Sequence, residues 1–179
     1  MSHVIIDPPL ARKMFSEIGL WTWVWAIVRV YLGYEWTQAG WHKVTDSSWT
    51  STGETLKGFW ERIIVIPEAP ARPSIVYDWY RDFIEVLLSG GHHVWFAKVV
   101  AYGELLVGVA LILGAFVGIA ALFGAFMNFN FMLAGSASTN PVLFLGAIFL
   151  ILAWKTAGHY GLDRWLLPLI GTPWGRRSG

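Results

Sequence analysis

The chain has 179 residues, of which 55% are hydrophobic and only 14% are charged, and its mean hydropathy is +0.50. Soluble domains of this size are more polar, so the composition indicates a membrane protein. The formal net charge of +1 gives no reason to expect a nucleic acid as a partner. Because the chain has no cysteine, it has no disulfide, no thiolate metal site and no cysteine nucleophile of its own.

Four apolar stretches are long enough to cross a membrane as helices, which takes about 20 residues each. They cover residues 20–41, 94–116, 117–135 and 141–159. The second and third stretches nearly touch, so we expect a tight helical hairpin at Gly114 and Gly118. The sequence therefore predicts an all-α fold, a polytopic bundle of four transmembrane helices that forms a single membrane domain over residues 1–179.

Basic residues near both ends of the chain predict its orientation. They are Arg12 and Lys13 before the first stretch, and Arg164, Arg176 and Arg177 after the fourth. Lys and Arg in short loops favour the cytoplasm, whereas the long connection 42–93 holds seven acidic residues against five basic ones. We therefore expect a multi-pass protein of the cell membrane with both termini and the tail 160–179 in the cytoplasm. The first stretch is long and lacks a small-residue cleavage site, so we interpret it as a retained helix.

The outer connection 42–93 is predicted to carry two amphipathic helices, at residues 54–64 and 75–88. Apolar residues recur at helical spacing in the first, and an apolar stripe lies opposite a charged one in the second. The two stripes of the second helix are Ile75, Val76, Trp79, Tyr80, Phe83 and Leu87 against Asp78, Arg81, Asp82 and Glu85. We expect both helices to lie over the outer mouth of the bundle, where they cover a site or dock a partner.

Ionisable residues inside two of the stretches are the strongest indication of function, because charges in hydrocarbon are costly and usually paired or functional. Arg29 and Glu35 lie six positions apart in the first stretch, as do Lys98 and Glu104 in the second. If the two helices run antiparallel, Arg29 lies at the depth of Glu104 and Glu35 at the depth of Lys98. Six residues leave two side chains about 120° apart around a helix axis, so we expect one direct pair, Arg29 with Glu104.

Two interpretations of these four residues stay open. In the first, they form buried ion pairs that fix the helix register and contribute little net stability, because desolvation offsets attraction. In the second, they serve a ligand or a proton transfer. Glu104 or Glu35 would then relay protons, and Arg29 and Lys98 would compensate negative charge. The pair nearer the outside, Glu35 with Lys98, is the better placed to meet a ligand.

Uncharged polar residues in the same region are candidates for ligand binding. They are Tyr31, Gln38, Tyr102, Asn128 and Asn130. The two asparagines are two positions apart and do not share a helix face, so one is expected to hydrogen-bond a neighbouring helix and the other to point into a cavity. The tyrosines and the glutamine suit a quinone carbonyl or the guanidinium of Arg29. The histidines lie outside the stretches or at their ends, so we expect no axially ligated haem and no metal site.

Three longer segments and one short motif carry a resemblance to a known family. They read R-V-Y-L-G-Y-E-W-T-Q-A-G-W-H-K at 29–43, A-Y-G-E-L-L-V-G-V-A-L-I-L-G at 101–114, M-N-F-N-F-M-L-A-G-S-A-S-T-N-P at 127–141 and G-L-D-R-W at 161–165. On these residues the chain resembles the DoxX/DoxD family of small four-helix membrane proteins, and its outer insertion is similar to that of the longer DoxD-type members. The resemblance implies a membrane subunit tied to quinone redox chemistry. Some members are named as the membrane part of a thiosulfate:quinone oxidoreductase, and others look like anchors for thiol-stress enzymes.

The leading hypothesis is therefore a quinone-interacting membrane subunit of a sulfur-compound oxidoreductase of the thiosulfate type, working with at least one other chain. It would bind quinone as a substrate and hold no covalent cofactor, and its outer helices would admit a small sulfur oxyanion or a partner that carries it. Whether the chain itself is an enzyme stays open. One alternative is a noncatalytic scaffold or assembly subunit of a larger, respiratory-type membrane complex. A further alternative is a carrier of lipids or small molecules.

Overall fold

Residues 8–171 are described by a computed structural model, and within them every regular element is a helix. The ten helices are α1 (Pro9–Phe15), α2 (Leu20–Val44), α3 (Ser47–Thr50), α4 (Glu54–Ile63), α5 (Asp78–Ser89), α6 (His93–Leu113), α7 (Val117–Leu133), α8 (Asn140–Leu152), α9 (Trp154–Ala157) and α10 (Asp163–Leu169). The all-α fold predicted from the sequence is confirmed for these residues. The last part of the predicted cytoplasmic tail, with Arg176 and Arg177, lies outside the described residues.

The long helices α2 and α6 pack antiparallel at very close range, because glycines lie where their backbones meet. A Cβ atom on Gly33 would lie 2.8 Å from the backbone nitrogen of Ile112, and one on Gly40 would lie 2.7 Å from Cα of Leu105. From the side of α6, a Cβ atom on Gly108 would lie 2.8 Å from a Cα atom of α2. Small residues let helix backbones approach where a side chain would hold them apart. These glycines therefore set the register of the two helices.

This register contradicts the depths expected for the charged residues of α2 and α6. Continued from the glycine contacts, it places Glu104 level with Trp41, whereas Arg29 lies at the far end of α6, on the carbonyl oxygens of Leu111 and Ile112. The expected register, with Arg29 level with Glu104, is wrong by about 12 residues, or roughly 18 Å at a rise of 1.5 Å per residue. The spacing of charges along each helix does not reveal where the two backbones touch, and backbone contact determines the depth.

The turn between α6 and α7 is as tight as its glycines predict, and it covers residues 114–116. Gly114 ends α6 with φ of +68°, and Phe116 precedes α7 with φ of +47°. Glycine adopts this left-handed conformation without steric cost, which makes it the usual residue at a helix C-terminus. Gly118, the second glycine of the predicted hairpin, lies inside α7. A Cβ atom there would lie 2.7 Å from Cβ of Trp154, so its small size allows close packing of α9.

The helices differ in how far each meets the requirements of a membrane span. In the described part of the chain, α6 is the one helix that is long and apolar enough to cross a membrane by itself, and α7 and α8 are apolar but shorter. Helix α2 has 25 residues and carries Arg29 and Glu35 within them. The fourth predicted stretch is divided, because α8 ends at Leu152 and α9 begins at Trp154.

Two apolar cores hold the helices together. The larger core lies between α2, α6, α7 and α8, and its buried residues include Trp25, Leu32, Leu111, Val117 and Leu150. The smaller core lies between α4, α5 and the first turns of α6, and its buried residues include Leu56, Trp60, Ile75, Ile84 and Ala97. The connection between α2 and α6 is thus packed onto the same end of the bundle at which α6 begins.

The orientation of α5 differs from the predicted one. The helix begins at Asp78 rather than at residue 75, and it buries Arg81 while Trp79 and Phe83 are exposed. Arg81 is tolerated inside because it donates hydrogen bonds to the Asp78 carboxylate at 2.5 Å and to the carbonyl oxygen of Ile75 at 2.7 Å. The predicted division of α5 into an apolar and a charged stripe is wrong for Trp79, Arg81 and Phe83.

Candidate functional site

A cavity of about 660 Å³ lies at the end of the bundle where α2 ends and α6 begins. We call it the polar cavity, because its lining includes Glu35, Lys43, Glu54, Arg62, Glu104, Asn128 and Asn140. On α2 the lining residues 35, 39 and 43 recur every four positions, so successive turns present them on one face. The lining residues 100 and 104 do the same on α6. Two antiparallel helices therefore contribute one face each to the same wall.

The carboxylate of Glu104 is paired with Lys43 at this wall. Lys43 Nζ donates a hydrogen bond to Glu104 Oε2 at 2.6 Å, and the side chain of Glu104 is only 2% exposed. Lys43 reaches it because α2 continues to Val44, and the α2–α6 register brings the last turn of α2 beside Glu104. The direct pair predicted between Arg29 and Glu104 is wrong, since Lys43 takes the place of Arg29.

Asn128 and Trp36 bring unpartnered polar atoms to the polar cavity. Asn128 is 0% exposed, and neither its amide nitrogen Nδ2 nor its amide oxygen Oδ1 has a hydrogen-bond partner among the described residues. The indole nitrogen Nε1 of Trp36, which is 3% exposed, has none there either. Buried polar groups are nearly always hydrogen-bonded. The wall of the cavity therefore contains a donor–acceptor amide and a donor indole that no described residue satisfies.

Asn130 lies on another face of α7 and is satisfied by its neighbours. Its Nδ2 donates to the carbonyl oxygen of Phe126 at 2.8 Å, and the Tyr80 hydroxyl donates to its backbone carbonyl oxygen at 3.1 Å. Burial raises the pKa of Tyr80 to about 12. The two asparagines thus differ, because Asn130 joins α7 to α5 while Asn128 lines the polar cavity.

A second cavity, of about 550 Å³, lies beside the polar one between α4, α5, α6 and α7. We call it the apolar cavity, because aromatic and aliphatic side chains make up most of its lining, among them Trp60, Phe83, Phe96, Phe123, Phe126 and Met127. Four residues line both cavities: Leu56, Phe59, Val100 and Phe131. A polar space and an apolar space thus share one wall.

Arg29 does not line either of these cavities and instead joins three segments at the opposite end of α6. Its Nη1 donates to the carbonyl oxygens of Leu111 at 2.5 Å and Ile112 at 2.7 Å, and its Nη2 donates to that of Tyr160 at 3.2 Å. These carbonyls belong to the last turn of α6 and to the segment that follows α9. Arg29 therefore attaches α2 to both segments, which is a structural task.

Asp163 completes the same junction. Its Oδ1 accepts a hydrogen bond from the backbone N–H of Phe116 at 2.5 Å, and its Oδ2 accepts one from Val117 at 2.9 Å. A carboxylate at this position satisfies free N–H groups at the start of α7, as an N-cap residue does. Burial raises the pKa of the Asp163 carboxyl, and the two hydrogen bonds and the charge of Arg29 act in the opposite direction.

The remaining candidates from the sequence do not come together. Glu35 is half-buried and lines the polar cavity, whereas Lys98 is exposed on α6. Tyr31, Gln38 and Tyr102 are exposed on the outside of the bundle and line neither of the two cavities. The expected partnership of Glu35 with Lys98 is wrong, because the α2–α6 register displaces it as it displaces Arg29 from Glu104.

Reasoning from the sequence missed two residues of the site, Lys43 and Trp36. Lys43 falls in the predicted outer connection because the first apolar stretch ends at residue 41. A signal for it was present, since 35, 39 and 43 follow the spacing of one helix face. Trp36 has no such signal, because a tryptophan near the end of an apolar stretch is usually explained by anchoring at the membrane interface.

Comparison with known proteins assigns the family. The model of the DoxX family matches residues 24–137, which run from α2 to the end of α7. The chain belongs to the DoxX family. No curated protein and no solved structure matches it. This DoxX family membrane protein carries Trp36, Lys43, Glu104 and Asn128 within the matched segment, whereas Asp163 lies beyond it.

Proposed function

We propose that this DoxX protein is a quinone-interacting membrane subunit of a sulfur-compound oxidoreductase of the thiosulfate type. Its membership of the DoxX family supports the proposal, because the resemblance to DoxX/DoxD proteins implies a membrane subunit tied to quinone redox chemistry. The observation that carries it is the unpartnered amide of Asn128 in a polar cavity that shares a wall with an apolar one. A quinone needs this combination of hydrogen-bonding groups for its carbonyls and apolar space for its hydrocarbon.

We propose four membrane spans: α2, α6, α7 and the α8–α9 pair. Helix α2 has 25 residues and α6 has 21, which exceeds the about 20 that a bilayer requires. Helix α7 has 17 residues, at the lower limit, and α8 has 13 and spans only together with α9. Both termini are cytoplasmic on the basis of the basic residues that flank the spans. The polar cavity then opens to the outer face, beside α4.

The proposed chemistry takes up protons at the polar cavity. Reduction of a quinone to a hydroquinone consumes two electrons and two protons. Glu104 and Lys43 form the titratable pair at the cavity wall, and Glu35 is a further carboxylate in the lining, so these residues are suited to deliver the protons. Lys43 replaces Arg29 and Lys98 as the cation that compensates negative charge on a reduced quinone.

The electrons are proposed to come from the sulfur compound through another chain. Two thiosulfate ions that join through a new sulfur–sulfur bond release two electrons, which balances the reduction of one quinone. The charged residues that line the polar cavity are three acids and two bases: Glu35, Glu54, Glu104, Lys43 and Arg62. Because acidic side chains outnumber basic ones in this lining, the cavity does not favour the binding of a dianion such as thiosulfate. We therefore propose that the oxyanion reacts on a partner subunit at the outer face, while the quinone binds to this chain.

Reconstitution tests the proposed function directly. The full chain, with the proteins that copurify with it in mild detergent, is placed in lipid vesicles with a quinone and thiosulfate. The absorbance of the quinone is then followed over time. We expect thiosulfate-dependent reduction when the partners are present. If no reduction occurs with any copurifying partner, the oxidoreductase function is wrong.

A noncatalytic scaffold or assembly subunit is the second candidate, and the junction of Arg29 and Asp163 favours it. Both residues bind backbone groups and lie away from the polar cavity, so they fix helix positions and perform no chemistry. If the chain is only a scaffold, Glu104→Gln reduces the amount of assembled complex but leaves turnover per assembled complex unchanged. A fall in turnover per complex supports the quinone function instead.

A further inference from the structure

From the residues that line the two cavities, we infer where the quinone lies. This inference rests on the proposed function. Its head group occupies the polar cavity, hydrogen-bonded by Asn128 and Trp36, and its hydrocarbon tail occupies the apolar cavity. Leu56, Phe59, Val100 and Phe131 line both cavities, so we place the junction of head and tail between these four side chains.

The head-group position follows from the unpartnered atoms. Trp36 and Asn128 are close to one another, because the indole of Trp36 lies against Gly124, where a Cβ atom would be 3.4 Å from Nε1. Gly124 precedes Asn128 by one helical turn on α7. An indole N–H donates, while an asparagine amide both donates and accepts. Asn128 thus donates to the carbonyl of a quinone and accepts from the hydroxyl of a hydroquinone, so the same site holds both redox forms.

The charge of the polar cavity favours a neutral ligand. Lys43 and Glu104 neutralise one another at 2.6 Å, and the other charged residues of the lining are Glu35, Glu54 and Arg62. A phosphate or sulfur oxyanion would meet more acidic than basic groups there. A neutral ring with two carbonyl groups meets the amide and the indole without that repulsion. The deepest polar groups of the cavity therefore suit a quinone better than a lipid head group.

The tail position follows from the apolar cavity and from the space at Gly103. This glycine lines the apolar cavity, and a Cβ atom on it would meet only the sulfur of Met127, at 3.5 Å. A side chain at position 103 therefore extends into the cavity without a clash against backbone. Substitutions of increasing size there fill the space that the tail needs.

The test measures binding to the full chain in detergent by calorimetry. The probes are a benzoquinone and a naphthoquinone, each with a decyl tail and with a methyl group in place of the tail. We expect Asn128→Leu and Trp36→Phe to weaken the binding of tailed and tail-less probes alike, by about tenfold for each lost hydrogen bond. Gly103→Leu is expected to weaken the binding of the tailed probes by at least about tenfold. It should leave the binding of the tail-less probes unchanged, since only the tail is displaced.

Matched variants separate binding from folding. Trp154→Phe removes an indole that lines neither cavity and should leave all affinities unchanged. Gly103→Ala places a small group where Gly103→Leu places a large one. The alanine variant should therefore weaken the binding of the tailed probes less than the leucine variant does. Melting temperatures of all variants identify any that fail to fold, and Asn128→Ala replaces Asn128→Leu if the larger side chain is not accommodated.

The outcomes distinguish this inference from the function on which it rests. If the unaltered protein binds the probes and the Asn128 variants bind them equally well, the head-group position is wrong and the quinone function stands. If Gly103→Leu affects tailed and tail-less probes alike, or neither, the tail position is wrong. If the unaltered protein binds none of the four probes, the proposed quinone function itself is contradicted.

Discussion

Lys43 Nζ lies 2.6 Å from Glu104 Oε2, so the buried acid of α6 is neutralised by a lysine in the last turn of α2. Arg29, the cation nearer the middle of the same helix, binds backbone carbonyls at the other end of α6 instead. The two basic residues of α2 thus have separate tasks. Lys43 belongs to the polar cavity, and Arg29 belongs to the junction that holds the helices in place.

Removal of Lys43 should expose the cost of an unpaired buried carboxylate. We expect Lys43→Met to lower the free energy of unfolding by roughly 2–4 kcal/mol, slightly less than for a fully buried pair because Lys43 is partly exposed. The double variant Lys43→Met/Glu104→Gln should recover most of this loss, since no charge then remains buried. Denaturant unfolding of the single and double variants in detergent measures the coupling.

The pair of Lys57 with Glu54 is the matched control for this cycle. It lies on the exposed side of α4, at 3.7 Å, with side chains 36% and 61% exposed. Exposed pairs contribute only about 0–1 kcal/mol, so Lys57→Met should change stability little. Equal effects at Lys43 and Lys57 would show that burial does not strengthen the Glu104 pair.

Alanine at two glycines should act in opposite directions. A Cβ atom on Gly40 would lie 2.7 Å from Cα of Leu105, so Gly40→Ala forces α2 away from α6 and should cost about 1–3 kcal/mol. Gly58 lies in α4 with nothing within 4 Å of the added atom. Gly58→Ala should therefore stabilise the helix, by about 0.5–1 kcal/mol. Thermal unfolding of both variants checks the signs, and two shifts of the same sign would contradict the close approach of α2 and α6.

Loss of the Asp163 carboxylate should weaken the start of α7. Asp163→Ala removes the acceptor of the Phe116 and Val117 N–H groups, which should lower the free energy of unfolding by about 2 kcal/mol, the upper range for a helix cap. Asp163→Asn keeps one acceptor oxygen, so we expect a smaller loss. Denaturant unfolding ranks the three proteins, and an alanine variant as stable as the unaltered chain would rule out this capping role.

Tyr80 should titrate at higher pH than an ordinary tyrosine. Its pKa is raised to about 12 by burial, whereas an unfolded tyrosine titrates near 10. The folded state therefore disfavours the phenolate, so the contribution of Tyr80 to stability is complete below about pH 10 and is lost as the pH rises toward about 12. In that range the unaltered protein should lose up to about 2–3 kcal/mol relative to Tyr80→Phe.

Absorbance of the phenolate follows the Tyr80 titration. The difference between the titration curves of the unaltered protein and of Tyr80→Phe isolates one of the six tyrosines. We expect its midpoint near pH 12. A midpoint near 10 would mean that the hydroxyl of Tyr80 is not buried between α5 and α7.

Local patterns were sufficient to locate most helices. The start of α4 at Glu54 and that of α7 at Val117 coincide with the predicted first residues, because apolar periodicity and the glycines between α6 and α7 are properties of short segments. The start of α5 was predicted three residues too early, since the chain before Asp78 is extended although its composition suits a helix. Apolar periodicity alone does not distinguish a non-helical segment with one buried residue, here Ile75, from a helix.

The candidate site was predictable only in part. Glu35, Glu104 and Asn128 stand out as polar residues in apolar stretches, and all three line the polar cavity. Trp36 does not stand out, because a tryptophan near a helix end is ordinary in a membrane protein, and Lys43 stands out only through its helical spacing from Glu35. Their roles depend on which residues of α6 and α7 lie opposite them.

The sequence by itself determined the helical class, the membrane character, the hairpin at Gly114 and the presence of charges inside apolar stretches, because each depends on residues close together in the chain. The tertiary structure alone decided which charges meet. Gly33, Gly40 and Gly108 let the backbones of α2 and α6 touch, and the register that results joins Glu104 to Lys43 and leaves Arg29 for the other end. That register depends on steric fit between two surfaces, which the spacing of charges along either helix does not contain.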